Sequence, residues 1–368
     1  MTRYWMLPDD VIELLPQQAA QFEALRRTLH DTMAAWGYRF VMPPLVEFLD
    51  SLLAGSGSDL DRQTFKLTDQ ASGRLMGVRA DMTPQIARID AHRLPTAAES
   101  RYAYIGEVLR TTSESTEPRR NPWIAGAELY GVADVSGDIE IMALLLDVLD
   151  RAGVADSVLD IGHAGIYAGL LADYAPDAED RALLHDLLAG KRRPDLWQWQ
   201  GAFPARFFDD IAFLTEPRDA AGALDAFAAH FAGRNAHFRR AHADMESAMR
   251  QLQRFFPAQR LSLDFSSVGR YGYHSGLMFA CYAPGLYSAI ARGGRYDGVG
   301  EVYGRARAAT GFSLDVLDLQ TVTRAAAPAN GTESRPMPQG AEAFAAAQAA
   351  RRAGQIIRFH HPSQRDKT

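Results

Sequence analysis

Residues 101–131 read RYAYIGEVLR (101–110), TTSESTEPRRNP (111–122) and WIAGAELYG (123–131). The outer segments read as a pair of strands. The loop between them carries Arg119 and Arg120 and no aliphatic or aromatic side chain. A long polar loop between two strands seldom exists to fill a core; such loops are where binding usually sits. In the second segment, alternation points Glu128 off a sheet face. A carboxylate there is either exposed to water or a recognition group for a cation.

Upstream, Phe22, Leu25, Leu29, Met33 and Trp36 recur at spacings of three and four. They predict a helix over about Pro16–Trp36, stopped by Gly37. Pro43-Pro44 forces an extended exit into Leu45–Phe48. Phe65–Asp69 and Leu75–Arg79 flank Ser72-Gly73 and predict a hairpin. Downstream, Ile141, Leu144, Leu145, Val148 and Leu149 predict a helix over Asp138–Arg151, closed by Gly153. Ala, Leu and Phe at helical spacing then predict a helical insertion over about 164–256, with breaks at 191–194 and 216–217. Strands return at Leu261–Phe265 and Leu277–Tyr282. Ser288–Gly294 leads into a glycine-rich turn, and Gly311–Leu319 is expected to open a final helix. Ala, Pro, Gly and Ser dominate residues 324–340, which is linker composition. The tail, 341–368, holds a helix, a Gly354 cap and a strand at Ile356–Phe359, too little to fold alone. Hairpin-like connections and clustered helices favour an α+β core over 1–323, on an antiparallel sheet, against a doubly wound parallel one.

Composition narrows the function. The 368 residues are 47% hydrophobic and 23% charged, which is globular composition. A formal net charge of -6 argues against a general grip on nucleic acid. A single cysteine, Cys281, excludes an intrachain disulfide and a thiolate metal cage. No stretch approaches the roughly 20 apolar residues of a membrane span, and the first residues lack a signal peptide's apolar run. A cytoplasmic protein is expected. No Walker loop, Gly-x-Ser-x-Gly elbow or His-Glu-x-x-His motif occurs. The ten histidines show no metal-ligand spacing, so neither a metal nor a cofactor is expected. Gly293-Gly294-Arg295-Tyr296-Asp297-Gly298, read alone, is a tight turn with a surface arginine. Asp81 and Thr83, in Arg79-Ala80-Asp81-Met82-Thr83-Pro84, read alone, cap the helix that follows.

In order and spacing these pieces resemble the class II aminoacyl-tRNA synthetase catalytic domain, specifically that of histidyl-tRNA synthetase, over roughly residues 5–320. The helix ending at Gly37-Tyr38 and the Pro43-Pro44 strand resemble the first class motif, which builds a dimer interface. Arg110, the polar loop and Ala127–Gly131 resemble the second. Gly311–Leu319 resembles the third. The stretches Gly269–Ala280 and Gly293–Gly298 are similar to the two histidine-specific signatures.

The departures are as informative as the matches. The third motif of the synthetase ends in an arginine that holds the ATP γ-phosphate; here the tract reads Asp315-Val316-Leu317-Asp318. Two unit charges about 4 Å apart interact by about 4 kcal/mol at an effective dielectric of 20, so exchanging attraction for repulsion costs several powers of ten in affinity. Thr112 stands where the family has a glutamate, and Ile124 where it has a glutamine that binds the amino-acid ammonium. The arginine of the first histidine signature falls at Gly269, with Arg270 one residue off and so on the opposite face of a strand. The glutamate of the Pro-Glu-Gly-Thr tract is shortened to Asp81. An anticodon-binding domain is missing, with 341–359 at most a fragment similar to its first helix and strand.

Together these losses cannot support adenylate formation. The pattern is similar to the regulatory-subunit family of ATP phosphoribosyltransferase, and Tyr271–Gly276 fits that family better than the synthetase. The resemblance implies a non-catalytic subunit that associates with a short-form catalytic subunit, is required for the first step of histidine biosynthesis and carries feedback by L-histidine. It implies a homodimer through Pro43–Phe48 inside a hetero-oligomer. The candidate histidine contacts are Asp81 and Glu128 for ammonium or imidazole N–H, Thr83 as a hydroxyl partner, Tyr273 and Tyr296 as ring walls, His274 in the same signature, and Arg110 for a carboxylate. A structural role for each stays open, as does histidine binding at the junction between subunits. So do two other functions: a divergent histidine-activating enzyme, whether synthetase-like or an amino-acid ligase, and a binding module serving a different enzyme.

Overall fold

The computed structural model describes residues 6–54, 58–96, 98–112, 119–191, 203–218, 220–268, 274–323, 332–336, 341–353 and 355–360. The first helix, α1 (Pro16–Ala35), starts with proline at a position whose missing N–H had no helical partner. It buries Phe22, Leu25, Leu29 and Met33. Gly37 ends it at φ +83°. The N–H groups of Gly37 and Tyr38 return to the carbonyls of Ala34 and Met33, a Schellman close that needs the left-handed glycine.

After β1 (Arg39–Phe40) the two prolines carry the chain into β2 (Val46–Phe48), followed by the short helices α2 (Leu49–Leu52) and α3 (Ser58–Gln63). Strands β3 (Phe65–Thr68) and β4 (Leu75–Val78) form the expected hairpin, with Phe65 opposite Val78. With β2 they make a small antiparallel sheet in the order β2-β4-β3. Helix α4 (Thr83–His92) leads to β5 (Ser100–Glu107) and β6 (Trp123–Tyr130), paired antiparallel as the segments flanking the polar loop predict.

Helix α5 (Val135–Arg151), β7 (Val158–His163), and helices α6 (Ala164–Tyr174), α7 (Ala178–Gly190), α8 (Ala205–Thr215), α9 (Ala223–His230) and α10 (Ala236–Phe255) follow. Strands β8 (Arg260–Leu263), β9 (Leu277–Tyr282), β10 (Ala291–Arg295) and β11 (Ala309–Asp315) then complete an eight-stranded sheet in the order β1-β5-β6-β11-β10-β9-β7-β8. Its interior pairings are antiparallel, and only the edge pairs β1–β5 and β7–β8 are parallel. The fold is α+β. Helix α11 (Val316–Val322) ends the core, and β12 (Thr332–Pro336), α12 (Ala341–Arg352) and β13 (Ile356–His360) form a unit whose two strands pair in parallel.

The sheet separates two environments. One face presents Ala125, Ala127, Leu129, Phe279, Phe312 and Leu314 to α1, α5 and α10 and forms the main core. The alternate residues, among them Tyr102, Tyr104, Ile124, Glu128 and Tyr296, belong to the other face.

Three expectations need correction. Gly293 and Gly294 are not a turn but lie inside β10, where Cβ atoms would collide with Phe279 and with the backbone of Leu277 and Gly311. Gly311–Asp315 is strand before it is helix; α11 starts only at Val316. Arg295 is a buried residue, not a surface one. The strand Val158–His163 had no counterpart in the sequence reading, and the stretch read as linker contains β12.

Candidate functional site

Glu128 is 1% exposed, on the face of the sheet away from the main core. Its neighbours in the ladder are Tyr102 on β5 and Gly311 on β11. Gly311 is required there: a Cβ would fall inside the van der Waals radius of Glu128 Oε2. Likewise Gly126 leaves the space into which the Tyr104 phenol lies. Three hydroxyls then converge on the carboxyl group. Thr83 Oγ1 and Tyr104 Oη donate to Oε1 at 3.1 and 3.0 Å, and Tyr296 Oη donates to Oε2. Tyr296 also packs edge-on against Tyr130, ring centroids 6.5 Å apart.

No ion pair joins Glu128 among the described residues. Burial therefore pushes its carboxyl up to about 8; the hydroxyl donors pull the other way without overcoming it, and the nearby charge of Asp81 adds to the rise. Protonation is thus favoured well above the usual carboxylate range, and in the protonated form one of the three hydroxyls accepts the acid proton instead of donating.

Its partners are each held from behind. Asp81 Oδ1 accepts from the N–H groups of Met82 (2.6 Å) and Thr83 (3.4 Å), which fixes Thr83 at the start of α4. Tyr296 follows Arg295, whose side chain points to the other face, as strand alternation requires. There Nε and Nη2 of Arg295 donate to Asp138 Oδ2 on α5 at 2.9 and 2.8 Å, and Nη1 and Nη2 donate to the carbonyls of Val132 and Asp134. The two side chains of that ion pair are 2% and 3% exposed.

Four residues along the same strands, about 13 Å away at strand rise, Asp315 lies opposite Ile124. Asp315 Oδ1 accepts from Leu317 N–H, capping α11. Arg119, from the segment leading into β6, donates from Nη1 to Asp315 Oδ2 at 3.2 Å and Asp318 Oδ1 at 3.0 Å. Burial, then the charge of Asp318, raises Asp315 to about 6, against the pull of Arg119 and Arg110.

The structure thus brings Thr83, Glu128 and Tyr296 into contact and sets Asp81 beside them. Arg110 reaches the residue before Asp81, its Nε donating to Ala80 O at 3.3 Å, and its charge is felt at Asp315. His274 covers Gly294, where a Cβ would lie 2.8 Å from its Cδ2; burial lowers its imidazole to about 4, so the ring is neutral. Tyr273, Gly269 and Arg270 lie outside the described residues. Sequence reasoning missed Tyr104, although pairing β5 with β6 across the polar loop sets it opposite Gly126, beside Glu128. It also noted Arg119 without assigning it a partner. Among the described residues no group of three His, Cys, Asp or Glu is arranged to hold a metal ion, and no helix is long and apolar enough to cross a membrane.

Comparison with known proteins places this geometry. The family model described as histidyl-tRNA synthetase matches residues 10–319. A protein of Polynucleobacter asymbioticus named ATP phosphoribosyltransferase regulatory subunit is 46% identical over 315 residues, covering 86% of this chain and 81% of that one. A protein of the same name from Pseudomonas paraeruginosa is 40% identical over 360 residues, covering 98% and 91%. Among solved structures, one titled ATP phosphoribosyltransferase regulatory subunit/histidyl-tRNA synthetase from Bacillus halodurans superposes with a TM-score of 0.87 at 24% identity, covering 100% of this chain and 95% of that one, which speaks for the fold. With the class II sheet, the family model and relatives of this extent in agreement, the chain belongs to the ATP phosphoribosyltransferase regulatory subunit family, built on the histidyl-tRNA synthetase fold.

Proposed function

We propose that the chain is the non-catalytic regulatory subunit of a short-form ATP phosphoribosyltransferase, needed for the first step of histidine biosynthesis and carrying feedback by L-histidine in the cytoplasm. The observation that carries this reading is the length and level of the likeness: relatives of that name are 40% and 46% identical over 98% and 86% of the chain. The site supports it. Carboxylates stand at the strand–helix junction, and Ile124 offers an ammonium group nothing to bind.

The Glu128 cluster suits an imidazole. A buried acid ringed by hydroxyls can hydrogen-bond the ring, with Tyr296 as a wall. Asp81, Thr83, Arg110, Tyr273 and His274 complete the proposed contacts. Histidine regulates only by binding the inhibited assembly more tightly than the active one. The division into a core over 1–323, with an insertion at about 164–256 and a separate tail unit, belongs to the same reading. So does a homodimer through Pro43–Phe48, where Met42 is 88% and Leu45 48% exposed.

Reconstitution tests the function. The chain mixed with a short-form catalytic subunit is expected to raise phosphoribosyl transfer to ATP above that of the catalytic subunit alone, and L-histidine to suppress it. Pyrophosphate exchange by the isolated chain with histidine and ATP would instead identify a histidine-activating enzyme.

A further inference from the structure

The Glu128 carboxyl is held between two arms. Thr83, which donates to Oε1, is the first residue of α4; Tyr296, which donates to Oε2, heads the segment 297–308 that joins β10 to β11. That segment is drawn closed at its base. Tyr296 N–H donates to Ala309 O at 2.8 Å, and Ala309 N–H to Asp297 Oδ1 at 3.0 Å. It is also folded on itself, with Arg305 N–H donating to Gly300 O at 3.0 Å.

Two turns along α4 from Thr83, about 10 Å at helical rise, the arms are riveted together. Asp90 is 3% exposed. Arg307 Nη1 donates to its Oδ1 and Oδ2 at 3.0 and 3.1 Å. Arg305 Nη1 lies 3.7 Å from Oδ2 and donates to Asp90 O at 3.1 Å. The Nη2 groups of Arg305 and Arg307 donate to the carbonyls of Thr96 and Ala98, in the segment after α4. Tyr303 adds a second tie: its ring stands edge-on to His92, and its hydroxyl donates to the carbonyls of Ser51 and Ala54. A buried carboxylate is costly to leave without its cation, so this rivet resists opening. It fixes the distance between the two arms, yet none of the hydrogen bonds of Asp90 goes to Glu128 or to its three hydroxyls.

We propose that Asp90, Arg305 and Arg307 are positioning residues for the Glu128 site: their ion pair sets the gap between the Thr83 and Tyr296 arms and so keeps the carboxyl enclosed. This deepens the proposed histidine site and rests on it for the identity of the ligand alone. The groups that face Glu128 are the hydroxyls of Thr83, Tyr104 and Tyr296 and the charge of Asp81. The sign of the response therefore separates position from charge. Losing the charge of Asp90 would by itself lower the midpoint of the Glu128 titration, and losing that of Arg307 would by itself raise it. Opening the arms admits water to the carboxyl and lowers the midpoint in both.

The test follows the Glu128 carboxyl by NMR in the full chain labelled at its glutamate carboxyls, with Glu128→Gln to assign the signal. Asp90→Asn and Arg307→Met are each expected to lower the midpoint by about one pH unit or more. Arg234→Met, which strips a cation from the buried Asp210 of α8, is expected to leave it unchanged. Arg305→Met removes a guanidinium that is 23% exposed and is expected to give a smaller fall, which keeps the test decisive if the first two variants do not fold. Shifts of opposite sign in Asp90→Asn and Arg307→Met, no shift in folded variants, or an equal fall in Arg234→Met overturn the proposal. Calorimetry with L-histidine then reads the ligand: Asp90→Asn and Arg307→Met are expected to bind it about ten-fold more weakly than wild type, and unchanged affinity overturns the proposal. A wild type that takes up no histidine, with the midpoints shifted as expected, supports the rivet and removes the histidine reading.

Discussion

The Glu128 end and the Asp315 end lie on one face of the same two strands, yet they settle their acids in opposite ways. At Glu128 the start of α4, β5 and the residue after β10 supply three hydroxyls and, among the described residues, no cation, so burial pushes the carboxyl up to about 8. At Asp315 a guanidinium arrives from another segment and is shared by two carboxylates. The difference teaches what each end can receive. An acid among hydroxyls is matched to a ligand with polar N–H and ring nitrogen, whereas an ion triad is already matched to itself.

The largest expected effect lies beneath the Glu128 end. Arg295→Met leaves Asp138 buried without its cation, and breaking a buried pair costs about 3–5 kcal/mol. Chemical denaturation measures it. A cost near zero would mean that the Arg295 clamp does not hold Tyr296 in place, and the contrast between the ends would lose its structural basis.

The next effect is one of pH. The carboxyl of Glu128 has a folded value of about 8 against an ordinary 4.5. Between those values the unfolded chain has released a proton that the folded chain retains. Stability from this group is therefore full below about pH 4.5 and is lost as pH rises toward 8, by at most about 1.4 kcal/mol per pH unit. Glu128→Gln removes the titration. Wild type minus Glu128→Gln, measured by urea unfolding at pH 5 and pH 7.5, is expected to fall with pH; a flat difference would place a charged carboxylate at Glu128.

Much of this was legible in the residues. The period of α1, the Gly37 stop and the paired strands about the polar loop follow from local chemistry, and the alternation that lifts Glu128 off the core face held. Asp81, Thr83 and Tyr296 could be grouped with it only through the family likeness, because the start of α4, β6 and the end of β10 are far apart in sequence. What escaped was set by tertiary pairing. Gly293, Gly294 and Gly311 carry the composition of turns, but here glycine makes room inside strands for Phe279 and for Glu128. Arg295 looks like a surface residue until α5 brings Asp138 to it. Arg119 and Asp315 are 196 positions apart, and no spacing rule joins them.

Gly311→Ala sharpens the comparison by crowding only the Glu128 end. A Cβ at that position must displace the carboxyl or part the strands, an overpacking cost of about 1–3 kcal/mol. In a Glu128→Ala background the same substitution is expected to cost less, and the double-mutant cycle reports the contact directly. Additive costs would show that Gly311 serves the strands and not the acid.

The smallest effect belongs to the rim. Arg119→Met is expected to lower stability by less than Arg295→Met, because Asp315 and Asp318, 19% and 14% exposed, keep more contact with water than Asp138 at 3%. Salt separates this from the buried pair. The Debye length shrinks to about 3 Å at 1 M salt, which weakens interactions that water reaches and leaves desolvated ones nearly intact. The cost of Arg119→Met should therefore shrink between 0.1 and 1 M salt while that of Arg295→Met stays constant. Equal salt dependence at the two arginines would mean that both ends share one environment, and the self-matched triad would then be no more open to release than the clamp beneath Tyr296.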